Sequence, residues 1–80
     1  MELGSQDVEN LDLYLVVYEF TNYDEIKKIV KELQINIKHT TEPDNNGYKI
    51  ILGPLDNTLA NNLVSSFVMK GYKNTNLILE

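Results

Sequence analysis

Twice in this chain a run of strand-forming residues gives way, within a few positions, to a segment whose apolar residues recur at helical spacing. That repeated change of period restricts the fold more than any other feature. Leu13–Phe20 is built of Leu, Tyr and Val without a breaker, and in an extended chain it sets Leu13, Leu15 and Val17 on one face and Tyr14, Val16 and Tyr18 on the other. Asn22 then opens a helix, with Glu25 placed to complete a capping box that satisfies orphan amides. Ile26, Ile29, Val30 and Leu33 follow at i, i+3, i+4, i+7, so one face is apolar while Lys27, Lys28, Lys31 and Glu32 meet water. In the second passage Tyr48–Leu52 sets Tyr48, Ile50 and Leu52 against Lys49 and Ile51, and stops at Gly53-Pro54 because proline removes a ladder donor. A helix opening at Asp56 or Asn57 carries Leu59, Ala60, Leu63, Val64, Phe67 and Val68 as its stripe, and Gly71 supplies the left-handed residue that ends it.

Between the two passages Ile35–Thr41 alternates as a weak strand, and Glu42–Gly47, with Pro43 and an Asp-Asn-Asn-Gly run, is a turn by composition. Leu77–Leu79 is the closing strand. The order is β-α-β-β-α-β. Two right-handed crossovers of this kind predict an α+β, ferredoxin-like fold: a four-stranded antiparallel sheet, first and third strands central, with two helices on one face and the other face open.

Eighty residues suffice for one such domain. A chain this short buries only about 60% of its unfolded surface, which leaves little material for a deep cleft. Residues 1–11 read as a linker or cloning tail, and 12–80 as the domain. There is no cysteine, hence no disulfide frame or thiolate metal site, and the single His39 has no second ligand at metal spacing. A net charge of −5, no arginine and seven scattered lysines argue against nucleic acid, which is held by clustered cations. No apolar run is long enough to cross a bilayer, so no membrane contact by this domain is expected.

The third strand carries a likeness to a known family. Tyr48-Lys49-Ile50-Ile51-Leu52-Gly53-Pro54-Leu55 resembles the Tyr-Arg-aliphatic-x-aliphatic-Gly-Pro signature of the SPOR (sporulation-related repeat) family, with Lys49 at the arginine. Ala60, Phe67 and Gly71 fall at the spacing of the family's Ala, Leu and Gly, although the loop before Ala60 is one residue short. Leu15, Val17, Phe20 and Asn22 fit its first strand and helix entry. The resemblance spans about Tyr14–Leu79 and implies a non-catalytic module that binds peptidoglycan glycan strands stripped of stem peptides. It further implies that such a module carries a longer secreted or membrane-anchored parent, such as a lytic transglycosylase, an amidase or a division protein, to the septum of the cell envelope or periplasm. Carried over residue by residue, the ligand-binding face is Tyr14, Val16, Tyr18 and Glu19 on the first strand and Lys49 and Ile51 on the third, flanked by Asn36 and Lys38 on the second. No cofactor and no metal are implied.

This sequence also departs from the family. Val16 stands where Gln is common and Tyr18-Glu19 where Gly-Ser is common, so two groups able to hydrogen-bond sugar hydroxyls are absent. Tyr14 and Tyr18 offer instead rings that stack on sugars and a hydroxyl each. Each candidate has a plainer reading as well. Tyrosine is a good strand former, Lys49 is also an ordinary solvated lysine, and His39 lacks the nucleophile and orienting group of a catalytic trio. Asp24, Glu25 and Asp56 suit helix starts, and Glu19 has no facing acid for glycosidase work. Two other functions share the pattern: a protein-interaction module using the open face or the closing edge strand, and an RNA-recognition domain. The latter would need a basic surround that is missing. Partners among envelope or division proteins fit the first of these.

Overall fold

The computed structural model describes residues 13–45 and 47–79. The elements run β1 (Leu13–Phe20), α1 (Tyr23–Glu32), β2 (His39–Asp44), β3 (Gly47–Leu55), α2 (Asn57–Met69) and β4 (Thr75–Leu79). The strands form one antiparallel sheet in the order β2-β3-β1-β4. This is the ferredoxin-like plan, with β1 and β3 central. The tail read over residues 1–11, and with it the domain start at 12, lies outside the described residues.

Both helices cover one side of the sheet. Leu15, Val17 and Phe20 of β1 and Ile50, Leu52 and Leu55 of β3 form a single cluster with Ile26 and Ile29 of α1 and Ala60, Leu63 and Phe67 of α2. Each helix starts where its sequence says it should. The Asn22 side chain accepts from the Glu25 amide at 2.9 Å, and the Asp56 side chain from the Leu59 amide at 2.8 Å. The Glu25 carboxylate reaches back to the Thr21 amide at 2.7 Å, one residue before the cap.

The same carboxylate accepts from the Tyr72 hydroxyl at 2.6 Å, which ties the start of α1 to the segment following α2. The Tyr72 ring stacks on Phe20, 4.7 Å between centroids, and meets Phe67 edge-on at 6.4 Å. Burial first, and then the hydrogen bond to Glu25, push the Tyr72 phenol up to about 12. The bond from Tyr72, followed by that from the Thr21 amide, holds Glu25 below the ordinary carboxylate value.

Several boundaries differ from the sequence reading, among them that of β4, which begins at Thr75 and not at Leu77. β2 begins at His39, not Ile35, and runs on to Asp44. After α1 the chain is still closing the helix: Gln34 takes a left-handed φ of 55°, and the Ile35 amide returns to the Val30 carbonyl at 2.9 Å. Ile35 and Ile37 therefore pack on the core from an irregular connection, and Lys38 belongs to that connection and not to the second strand. The turn is also shorter than Glu42–Gly47. Asp44 pairs with Gly47, Pro43 with Tyr48 and Glu42 with Lys49, which leaves two residues between the strands. Pro43 is tolerated because β2 is an edge, where one side of the backbone has no strand to serve.

β3, in turn, passes through Gly53-Pro54 to Leu55. The two residues face the single Tyr14, so the proline sits in a bulge between the pairs Leu15↔Leu52 and Leu13↔Leu55. A second bulge lies at the other end of the same strand pair, on β1, where Tyr18 and Glu19 together face Lys49. Glu19 there has a φ of 73°. The added residue brings Phe20 back to the helix side, three positions after Val17. In α2 the stripe is narrower than expected, since Leu59 and Val68 are 37% and 39% exposed.

Candidate functional site

Residues paired across neighbouring strands share a face, so the registers give the uncovered side of the sheet row by row. The middle row runs Thr40, Ile51, Val16, Asn76 from β2 to β4. On one side of it lie Glu42 and Lys49, with Tyr18 beside them at the bulge. On the other lie Gly53, Tyr14 and Ile78. Leu15, Val17, Ile50 and Leu52 are all in the helix-side core, which assigns Tyr14, Val16, Tyr18, Lys49 and Ile51 to the opposite face.

The face divides into three parts. Tyr14 lies over Gly53: a Cβ added to that glycine would stand 2.7 Å from Tyr14 Cδ2 and 2.8 Å from the Leu13 carbonyl oxygen. The φ of 152° is one that side chains with a Cβ rarely adopt, so the glycine is required twice over. The ring thus lies against Gly53 and is half-buried. Val16 is only 2% exposed, although among the described residues no helix covers it. Its neighbours on the face are Tyr14 and Tyr18 along the strand and Ile51 and Asn76 across it. It supports the surface and offers almost none of its own.

The third part is polar. Lys49 Nζ stands 6.0 Å from the Tyr18 ring centroid and 4.0 Å from Glu42 Oε1. Both Lys49 and Tyr18 are half-buried. Glu19 is exposed and accepts a hydrogen bond from the Asn74 side chain at 3.3 Å, so its carboxylate is directed toward the β1–β4 side. The structure thus groups Tyr14, Val16, Tyr18, Lys49 and Ile51. Lys38, by contrast, is exposed on the connection before β2, where its carbonyl accepts from the Gly53 amide at 3.0 Å.

Sequence reasoning did not find the Tyr14–Gly53 contact or the Glu42 partner of Lys49. The second was within reach. A two-residue loop at 45–46 sets 42 opposite 49 by counting, whereas the wider turn hid that pair.

This arrangement is a shallow platform with two aromatic rings, an amine poised between a ring and a carboxylate, and a sealed apolar centre. It can stack against a flat ligand and donate to an oxygen. A groove of about 450 Å³ opens elsewhere, between α1 and β2, lined by Tyr23, Ile26, Lys27, Val30, His39, Thr40 and Thr41. His39 is exposed there, and its Nδ1 donates to the Ile37 carbonyl at 2.7 Å. Among the described residues no three His, Asp or Glu side chains gather as a metal-holding group, and no helix is long and apolar enough to cross a membrane. Comparison of the chain with family models, with curated proteins and with solved structures returns no match.

Proposed function

We propose that this domain is a SPOR-like, non-catalytic module that binds peptidoglycan glycan strands stripped of their stem peptides, and that it does so across the sheet face opposite the helices. One observation carries the reading: Tyr14 and Tyr18 flank a sealed Val16 on an uncovered sheet, with the Lys49 amine beside Tyr18. A saccharide chain is long, flat on its C–H faces and rich in oxygen. Two rings spaced along a strand suit the C–H faces. Removing a stem peptide by amide hydrolysis leaves a carboxylate on the sugar's lactyl group, and Lys49 is placed to meet it as a point charge in competition with Glu42. In this role the domain tethers a longer envelope or division protein, of which a lytic transglycosylase or amidase is the type.

The test is co-sedimentation with purified sacculi before and after amidase treatment. Binding is expected to rise on treatment and to fall with added salt. Tyr18→Ala is expected to weaken it roughly tenfold, since loss of one stacked ring costs about 1.4 kcal/mol or more. Lys49→Ala is expected to remove the salt dependence. Indifference to sacculi in both states, or binding untouched by both substitutions, overturns the proposal.

A further inference from the structure

The groove between α1 and β2 belongs to the helix side of the sheet. His39 pairs across the sheet with Leu52 and Thr41 with Ile50, both core residues, so these two side chains stand on the side opposite to Tyr14 and Tyr18. From α1, Ile26 and Val30 give the groove apolar walls, and the exposed Tyr23 and Lys27 border it. Its volume of about 450 Å³ falls in the usual range of small-molecule sites, roughly 300–1,000 Å³. The ionisable lining has one sign: a lysine and a histidine but no acid, in a chain whose net charge is −5. Lys49 and Lys70 each meet a glutamate, at 4.0 and 3.5 Å, whereas among the described residues Lys27 meets no carboxylate. Its Nζ stands instead 5.5 Å from the Tyr23 ring centroid. The bond from His39 Nδ1 to the Ile37 carbonyl leaves Nε2 as the ring's remaining polar atom. The backbone adds donors. The Gly53 amide donates to the Lys38 carbonyl at 3.0 Å, and alternation along the ladder from that pair turns the amides of His39 and Thr41 away from β3, where no strand takes them up among the described residues.

We infer that this groove binds a small monocarboxylic acid with an apolar body, at a site separate from the sheet face proposed for glycan. Each part of that description answers to a part of the lining. An anion is selected because the groove offers an amine without a carboxylate to neutralise it. A monoanion is selected because one lysine cannot balance a phosphate dianion, which is ordinarily held by several donors and cations. The apolar body answers to Ile26 and Val30, which give a bare acetate little to gain from entering. His39 Nε2, the Thr41 hydroxyl and the outward amides of β2 supply the few polar contacts that orient such a ligand. An extended peptide fits less well, since Pro43 has no amide to offer an added strand and Glu42 and Asp44 beside it repel an acidic one.

The probe is hydrocinnamate, a phenyl ring on a short carboxylic acid, with hydrocinnamyl alcohol as its uncharged counterpart. Titration of the isotope-labelled chain, followed by amide chemical shifts, is expected to give saturable changes at α1 and at His39–Thr41, with a dissociation constant of about 1 mM or below. The alcohol is expected to bind at least about fivefold more weakly, because it lacks the charged partner of Lys27. Lys27→Gln, an exposed substitution on a helix, is expected to bring the acid down to the level of the alcohol while the rest of the amide spectrum stays that of the original chain. Tyr18→Ala, on the other side of the sheet, is expected to leave hydrocinnamate binding unaltered, so this site and the glycan face fail or stand separately. Shifts that grow without saturation overturn the inference, as do equal affinities for acid and alcohol, an unchanged affinity in Lys27→Gln, or a response centred on Tyr14 and Tyr18.

Discussion

The two sides of this sheet are both apolar at their centres, yet they are closed by different means. On one side Leu15, Val17, Ile50 and Leu52 are sealed by two helices and by Tyr72, whose hydroxyl is tied to the start of α1. On the other, Val16 is nearly as well hidden, with no helix above it among the described residues. What the difference teaches is that burial alone does not mark a residue as part of the stabilising core. Atoms under a second layer hold the fold, because removing them opens a void between layers. Atoms sealed within a single layer by neighbouring side chains hold the shape of a surface.

The sharpest way to break this contrast is to empty each side in turn. Phe67→Ala removes a fully buried ring from between α2 and the sheet, and the expected loss is about 3–5 kcal/mol, enough to unfold much of a domain this small. Urea denaturation monitored by circular dichroism reads it, with Tyr18→Ala as the counterpart on the open side, expected to cost less than about 1 kcal/mol. Equal losses would abolish the distinction.

A smaller effect is expected at the one point where the open side depends on the backbone itself. Gly53→Ala meets both the positive φ and the Leu13 carbonyl, and roughly 1–3 kcal/mol is expected to be lost. In combination with Tyr14→Ala the losses are expected to fall short of additive, since part of the clash is with that ring. Full additivity in the double-mutant cycle would mean that the ring does not rest on the glycine.

The smallest effect belongs to the tie on the helix side. Tyr72→Phe is expected to cost about 1 kcal/mol, below the usual value for a bond to a charged group because Glu25 is open to water. Its signature is the pH dependence. Glu25 is held low in the folded state, so its contribution is present above the ordinary carboxylate range and is lost as acid protonates the folded form. Tyr72 is held high, so its contribution is complete below pH 10.0 and disappears as pH climbs toward about 12. Melting temperatures at pH 3, 7 and 11 compare the two proteins, and the variant is expected to show a shallower decline at both ends. Parallel curves would assign the tie no energetic role.

What was legible in the sequence is what nearby residues decide among themselves. β1 runs from Leu13 to Phe20 as its apolar run does, both caps fall at Asn22 and Asp56, and Gly71 takes a φ of 100°. That Tyr14, Val16 and Tyr18 share one face follows from alternation, and the core cluster on the other side makes it the outward one. What was not legible depends on partners far along the chain. β2 is polar and carries a proline, so its limits are set by β3 and not by its own pattern. The Gly53-Pro54 stop fails because a bulge against Tyr14 absorbs it. The closure of Val16 requires both neighbouring strands at once, and the bond between Tyr72 and Glu25 joins residues 47 apart.

The bulge at Glu19 has a consequence for how a domain like this can diversify. Val17 and Phe20 both stay with the helices, so the interior does not register the extra residue. Only the outer surface feels it, through a changed twist that re-aims Tyr18. Gain or loss of a single codon at that point can therefore alter the contour presented to a ligand while the packing beneath is left alone, a route to new specificity that substitution by itself does not provide.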